Sequence, residues 1–151
     1  MKLYKDTEQF SLSYPRKKAS TRFNTSDDTD EYKELVERAS GVIQPVTASS
    51  NKILGMVDKQ VKSTDSDYAS TTRIPVICGT PDTLFLMDVD GTFTVASEGG
   101  LFDVSDSRTV NVDATSKKVV FCHKFISSTS GRNGKGLGVF SIAKYEPNTI
   151  I

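Results

Sequence analysis

LFLMDVDGTFTV, Leu84 to Val95, is the stretch whose reading decides the fold. Two strand-like runs flank Asp90-Gly91, and Asp-Gly in that setting is a strong hairpin signal. A type I′ turn needs positive φ at both central residues, which glycine adopts freely and aspartate better than most. This reading predicts a hairpin tip at Asp90-Gly91, with Phe93 and Val95 turned into a core. The same stretch also sets two carboxylates, Asp88 and Asp90, behind an apolar strand. That spacing can serve phosphoryl transfer if a divalent cation and a basic side chain accompany it. The surrounding sequence decides between an all-β structural protein and an enzyme.

Outward from this stretch, the chain reads as strands from Val42 onward. VIQPV, KILGMVDKQV, TRIPVIC, GLFDVS, TVNVD, KVVFCHKFI and GLGVFSIAKY are β-like runs separated by TASSN, STDSDYAST, GTPD, SEGG, DSR, ATSK and SSTSGRNGK. Such spacing and turn chemistry predict an all-β fold, a compact β-barrel or β-sandwich with hairpin connections. Pro45 and Pro75 interrupt strand-like runs, so those strands are expected at edges or bulges. Gly99-Gly100 invites a bend. Alternation over Thr109–Asp113 puts Val110 and Val112 on one buried face. No second helical pattern of useful length follows Gly41.

Upstream, one short α-helix is predicted over residues 29–40. Asp27, Asp28 or Thr29 can cap it, and Tyr32, Leu35, Val36 and Ala39 share a helical face. Arg38 suits its negative end and Gly41 stops it. Residues 1–28 read as an extended N-terminal arm, leaving 41–151 as the β-domain. Within the arm, Phe10, Leu12 and Tyr14 alternate with serines, the pattern of a short edge strand ending at Pro15. A polar arm of this composition does not recover its ordering entropy alone, so a neighbouring molecule is expected to hold it. Its candidate partner-binding residues are Phe10, Leu12, Tyr14, Arg16, Lys17, Lys18, Arg22 and Phe23.

Composition narrows the function classes. At 151 residues the chain is most simply one domain with a real core. Its 19 basic and 19 acidic residues cancel, which removes any global attraction to nucleic acid or acidic membranes. The charges are nevertheless blocked. Lys2, Lys5, Arg16, Lys17, Lys18 and Arg22 dominate the first segment; Asp27, Asp28, Asp30, Glu31, Glu34 and Glu37 dominate the next. Such blocks face solvent or a partner. No apolar run has transmembrane length and the N-terminus carries no signal-peptide core, so folding in a cytoplasm is expected. Cys78 and Cys122 sit in apolar strand contexts and read as reduced, buried thiols.

The chemical motifs are incomplete. Asp88-x-Asp90-Gly91-Thr92 resembles the first motif of the haloacid-dehalogenase phosphatases, which would make Asp88 the nucleophile and Asp90 the general acid/base, with Mg²⁺. The resemblance covers five residues. It lacks the downstream Ser/Thr, Lys and acidic-pair motifs, and the helices of a parallel sheet. An EF-hand count with Gly91 sixth would start on Leu86 and end on Ser97, which fails. A looser cation site at Asp88, Asp90, Asp103 and Asp106 would require their turns to converge. Gly131-Arg132-Asn133-Gly134-Lys135-Gly136 resembles a phosphate loop but misses the Walker spacing and has no following helix. His123, the only histidine, sits beside Cys122 on a strand, where neighbours point to opposite faces. These readings predict no catalytic, cofactor or metal site.

The arm, the short helix and the β-domain, over GVIQPVTASSNKILGMVDKQV and RIPVICGTPDTLFLMDVDGTFTVASEGGLFDVSD, resemble the decoration (auxiliary or cement) proteins of tailed bacteriophage capsids. The resemblance covers about residues 41–143. It implies a non-enzymatic virion protein that binds and stabilises the outer capsid surface, made in the host bacterial cytoplasm. Its partners would be the major capsid protein and neighbouring capsid components, with a homo-oligomer compatible. It implies neither direct nucleic-acid nor membrane binding. A β-sandwich binding module, or a tail or baseplate component, is the alternative reading. A glycan-binding module would gather aromatics such as Tyr68, Phe102 and Tyr145 on one exposed face.

Overall fold

Burial with a period of two runs through the β-like segments. In Phe85–Asp90, Phe85, Met87 and Val89 are buried while Leu86 is exposed, the signature of a strand with one face in a core. A computed structural model of the chain describes residues 11–15, 34–59, 61, 64–66, 70–131 and 134–148. Their fold is all-β, with no helix of seven or more residues. In chain order the strands are β1 (Ser11–Pro15), β2 (Leu35–Ala39), β3 (Val42–Pro45), β4 (Gly55–Val57) and β5 (Arg73–Cys78). There follow β6 (Phe85–Asp90), β7 (Leu101–Val104), β8 (Thr109–Asn111), β9 (Val120–Ser127) and β10 (Gly136–Ile142).

The second half of the chain closes into a five-stranded barrel in the order β10-β6-β8-β7-β9. Closure satisfies both edges of every strand. The first half forms a five-stranded sheet, β1-β5-β4-β2-β3, whose described pairings are all antiparallel. This sheet curls until its two edge strands, β1 and β3, approach each other. Its concave face holds Val36, Ile43, Leu54, Val57, Val61, Ile74 and Val76. Leu35, Val46 and Ile53 instead join the barrel core around Phe85, Val89, Val110 and Phe140. Barrel and curled sheet thus share one packed seam, reinforced by Leu35 N–H donating to the Ser107 carbonyl at 2.7 Å.

The helix expected over residues 29–40 is not formed in its described part. Leu35–Ala39 is β2, paired with β3 through Val36↔Pro45 to Ala39↔Val42 and with β4 through Leu35↔Met56. Adjacent apolar residues that resemble a helical face serve a strand buried on both sides: Leu35 points to the barrel core and Val36 into the curled sheet. Gly41 is not a helix stop. Ser40 and Gly41, at φ 52° and 81°, are the two positive-φ residues of a tight hairpin turn. Residues 29–33 lie outside the described part.

The hairpin expected at Asp90-Gly91 is also absent. Gly91 does adopt positive φ, +93°, but the chain beyond it does not return along β6. Both edges of β6 are occupied, by β10 antiparallel and by β8 parallel. Phe93 turns inward as expected, whereas Val95 is 66% exposed because it opens a 3₁₀ turn, Val95–Ser97. That turn is capped by Thr94, whose hydroxyl accepts from Ala96 N–H. Phe93 lies 5.0 Å from Phe125 and 6.0 Å from Phe140, ring centre to ring centre, against Gly136 and Gly138 of β10.

Pro45 and Pro75 each fit the sheet for a physical reason. Pro45 ends the edge strand β3, as expected. Pro75 does not mark an edge, since β5 runs between β1 and β4. Its carbonyl accepts from Asp58 N–H at 2.9 Å, so its missing donor faces the β4 side just past Val57, where that ladder stops.

Candidate functional site

Three elements meet at one end of the curled sheet. Tyr14 of β1 sits opposite Ile74, on the concave side, and packs against the core there. Arg38 of β2 shares the face of Val36 and places its guanidinium 5.4 Å from the centre of the Tyr14 ring, a cation–π contact. The C-terminal segment is stitched in by backbone bonds, Ile53 N–H to the Lys144 carbonyl and Glu146 N–H to the Ile53 carbonyl, both 2.9 Å. This delivers the buried carboxylate of Glu146 to Arg38 Nε at 3.3 Å and Lys52 Nζ at 3.5 Å.

Cys78 of β5 is fully buried beside this junction, its thiol 3.9 Å from the Val76 carbonyl. Burial, and then the proximity of Cys78, push both phenols above their ordinary range, with Arg38 opposing the shift at Tyr14. Both therefore stay neutral at physiological pH and act as hydrogen-bonding, packing groups. Beside the junction lies a polar groove of about 420 Å³ lined by Glu37, Thr47, Ser49, Ser50, Asn51 and Lys52. The arrangement neutralises a buried acid and clamps β1 and the C-terminal segment to the sheet.

Of the arm residues singled out from sequence, Leu12 and Tyr14 are placed by β1, which spans the expected edge strand ending at Pro15. Leu12 is 40% exposed, whereas Tyr14 is half-buried in the junction. The strand that the arm was expected to lend to a neighbour is seated on this chain's own β5. Phe10, Arg16, Lys17, Lys18, Arg22 and Phe23 lie outside the described residues.

A second surface was missed in the sequence. On the outer barrel face, Leu84 and Leu86 are 52% and 59% exposed, and Leu86 pairs with half-buried Val139 of β10. Leu137 continues the stripe opposite Asp88, and Lys124 of β9 lies opposite Val139. The signal was apolar residues at both parities of LFLM, which a strand with one wet face does not require. Toward the end of β6, Lys135 Nζ donates to Asp90 at 3.2 Å.

The candidate chemical groups are engaged in structure. Asp103 is buried and accepts from the Lys117 and Lys118 N–H groups at 2.7 and 2.8 Å, and from the Ser116 hydroxyl at 3.0 Å. Burial alone would raise its pKa, but these donors outweigh it and hold the carboxyl below its ordinary value. No group of three or more His, Cys, Asp or Glu among the described residues is placed to hold a metal ion. Burial, then the charge of Glu98, pushes the Cys122 thiol up to about 11, so it is a poor nucleophile. Cys78 and Cys122 are buried and unbridged, as expected.

His123 is exposed, with Nε2 2.8 Å from the Ser141 hydroxyl and its ring edge-on to Phe121. Among the described residues the imidazole donates to no carboxylate, the contact that orients the histidine of a triad. The helix-flanked parallel sheet that the phosphatase resemblance implies is replaced by a barrel strand carrying Asp88 and Asp90 on its outer face. Phe102 and Tyr145 pack against the barrel core rather than forming an exposed aromatic platform, and Tyr68 lies outside the described residues. No helix among the described residues is long and apolar enough to cross a membrane. Comparison with protein-family models, curated proteins and solved structures returns no match.

Proposed function

We propose that this chain is a non-enzymatic virion structural protein that binds and stabilises the outer surface of a phage capsid. The observation that carries the proposal is the apolar outer face of the barrel, Leu84, Leu86, Leu137 and Val139, on a body of short, cross-braced strands. An exposed apolar stripe bounded by charge is what a protein–protein contact requires. In this reading the stripe seats on the major capsid protein, and the positive charge of Arg16, Lys17, Lys18 and Arg22 suits acidic neighbouring capsid components. Many weak contacts repeated over many copies then add by avidity.

The test uses full-length protein, because removing residues 1–24 would also remove β1. Virions purified on density gradients from cells producing the chain are probed for it and its ratio to the major capsid protein measured. Constant stoichiometry in wild type, with loss of binding in Leu84→Glu/Leu86→Glu at an unchanged melting temperature, is the expected result. Absence of the chain from purified particles overturns the proposal.

A further inference from the structure

We propose that the β5 edge is a receiving site for the Ser11–Pro15 strand of a second copy of this chain, so that crowded copies exchange β1. The inference deepens the capsid-surface reading. It rests on that reading only for where copies become crowded.

β5 has to be covered. Without β1, the concave-face residues Ile74, Val76 and Cys78 would lie on an open edge, together with their backbone donors and acceptors. The run Ile74–Cys78 carries no charge to discourage pairing with another chain. Nor does Pro75 guard that edge, since its missing donor faces β4.

The cover is specific and open to solvent. The Arg38 guanidinium lies 5.4 Å from the centre of the Tyr14 ring, and Arg73 Nη2 donates to the Ser13 carbonyl at 3.0 Å. Pro15 falls opposite Arg73, at a register position that needs no donor toward β5. Leu12 is 40% exposed and Tyr14 half-buried, so solvent reaches β1 along its length.

Every one of these contacts can be made identically by the same strand from another copy, which is the condition for exchange without a new interface. Residues 16–33 join β1 to the sheet, and a chain of that length spans at most roughly 60 Å. An intramolecular strand on such a tether competes at an effective concentration of roughly millimolar. Dilute protein therefore closes on itself, and exchange grows as copies approach that density.

The test is disulfide trapping in register. Ser13 and Pro75 are directly opposite. They form a pair without mutual hydrogen bonds, about 4.5 Å between Cα atoms, which a disulfide can bridge. Full-length Ser13→Cys is mixed with full-length Pro75→Cys from micromolar to near-millimolar concentration, oxidised, and mapped by mass spectrometry. Two controls run beside it: the Ser13→Cys/Pro75→Cys double variant, which reports closure within one chain, and Ser13→Cys mixed with Thr115→Cys, which reports random collision at an exposed barrel loop. The expected result is a 13–75 bridge between chains at least tenfold above the collision control and rising with concentration. Interchain bridging no greater than the control, with the double variant closing within its own chain, overturns exchange. A double variant that fails to close overturns the register on which it depends. Neither outcome touches whether the chain is found on virions.

Discussion

Gly91 is held by two constraints at once. Its φ of +93° is costly for any β-branched residue, and an added Cβ would lie 2.7 Å from Asp113 Oδ2. Gly91→Val is therefore expected to cost about 2–3 kcal/mol. That is a fall in melting temperature of roughly 5–10 °C by circular dichroism. Phe93→Ala empties the space between Gly136, Gly138, Phe125 and Phe140, and should cost about 3–5 kcal/mol by denaturant titration. Asp103 makes a prediction about pH. Because its folded pKa is depressed, its stabilisation is present above the unfolded value near 3.8 and is lost as pH falls through the folded one. Asp103→Asn should lower stability at pH 7 by about 1–3 kcal/mol. It should also flatten the acid limb of stability below about pH 4; an unchanged acid limb would count against this role.

At the scale of elements, β1 and β2 are the instructive strands. Tertiary burial overrode local propensity in β2, where a short helical pattern had no long run to stabilise it and Leu35 and Val36 had two cores to fill. In β1, the alternation of Leu12 and Tyr14 with serines was legible, but its docking partner was not. Antiparallel register puts Leu12 opposite Val76 and Tyr14 opposite Ile74 as the hydrogen-bonded pairs. Tyr14→Ala removes the junction anchor. Amide exchange at Ile74 and Val76 should then accelerate by at least tenfold, while Val104 in the barrel keeps its wild-type protection. Equal acceleration in both places would mean global unfolding, and no acceleration would mean that Tyr14 does not anchor β1.

At the scale of the molecule, barrel and curled sheet share a seam, and the C-terminal segment is bound into it through Ile53, Tyr145 and Glu146. This seam should control alkaline stability. The folded pKa of Tyr145 is raised by burial, so above its unfolded value near 10 the unfolded chain binds fewer protons than the folded one. Its stabilisation is complete below that pH and is lost as pH rises toward the folded value. Tyr145→Phe should shallow the decline of stability above pH 10 in denaturant titrations, and an unaltered slope would remove Tyr145 from that account.

Period-two alternation, turn residues and the lack of helical repeats after Gly41 were enough, by themselves, to determine an all-β chain. They also located positive φ at Gly91, burial of Phe93, Val110 and Val112, and the edge strand ending at Pro15. These are local properties, set by backbone sterics and by which side of a strand a residue occupies. Tertiary structure alone decided the partners of each strand. It decided that LFLMDVDGTFTV is a barrel strand followed by a plug and a 3₁₀ turn, because β8 and β10 already occupy both edges of β6. It also decided that Leu84 and Leu86 face outward, since the barrel interior is filled by Phe85, Met87 and Val89. Long-range pairing depends on which edges remain open after the rest of the chain has folded, and no local pattern records that.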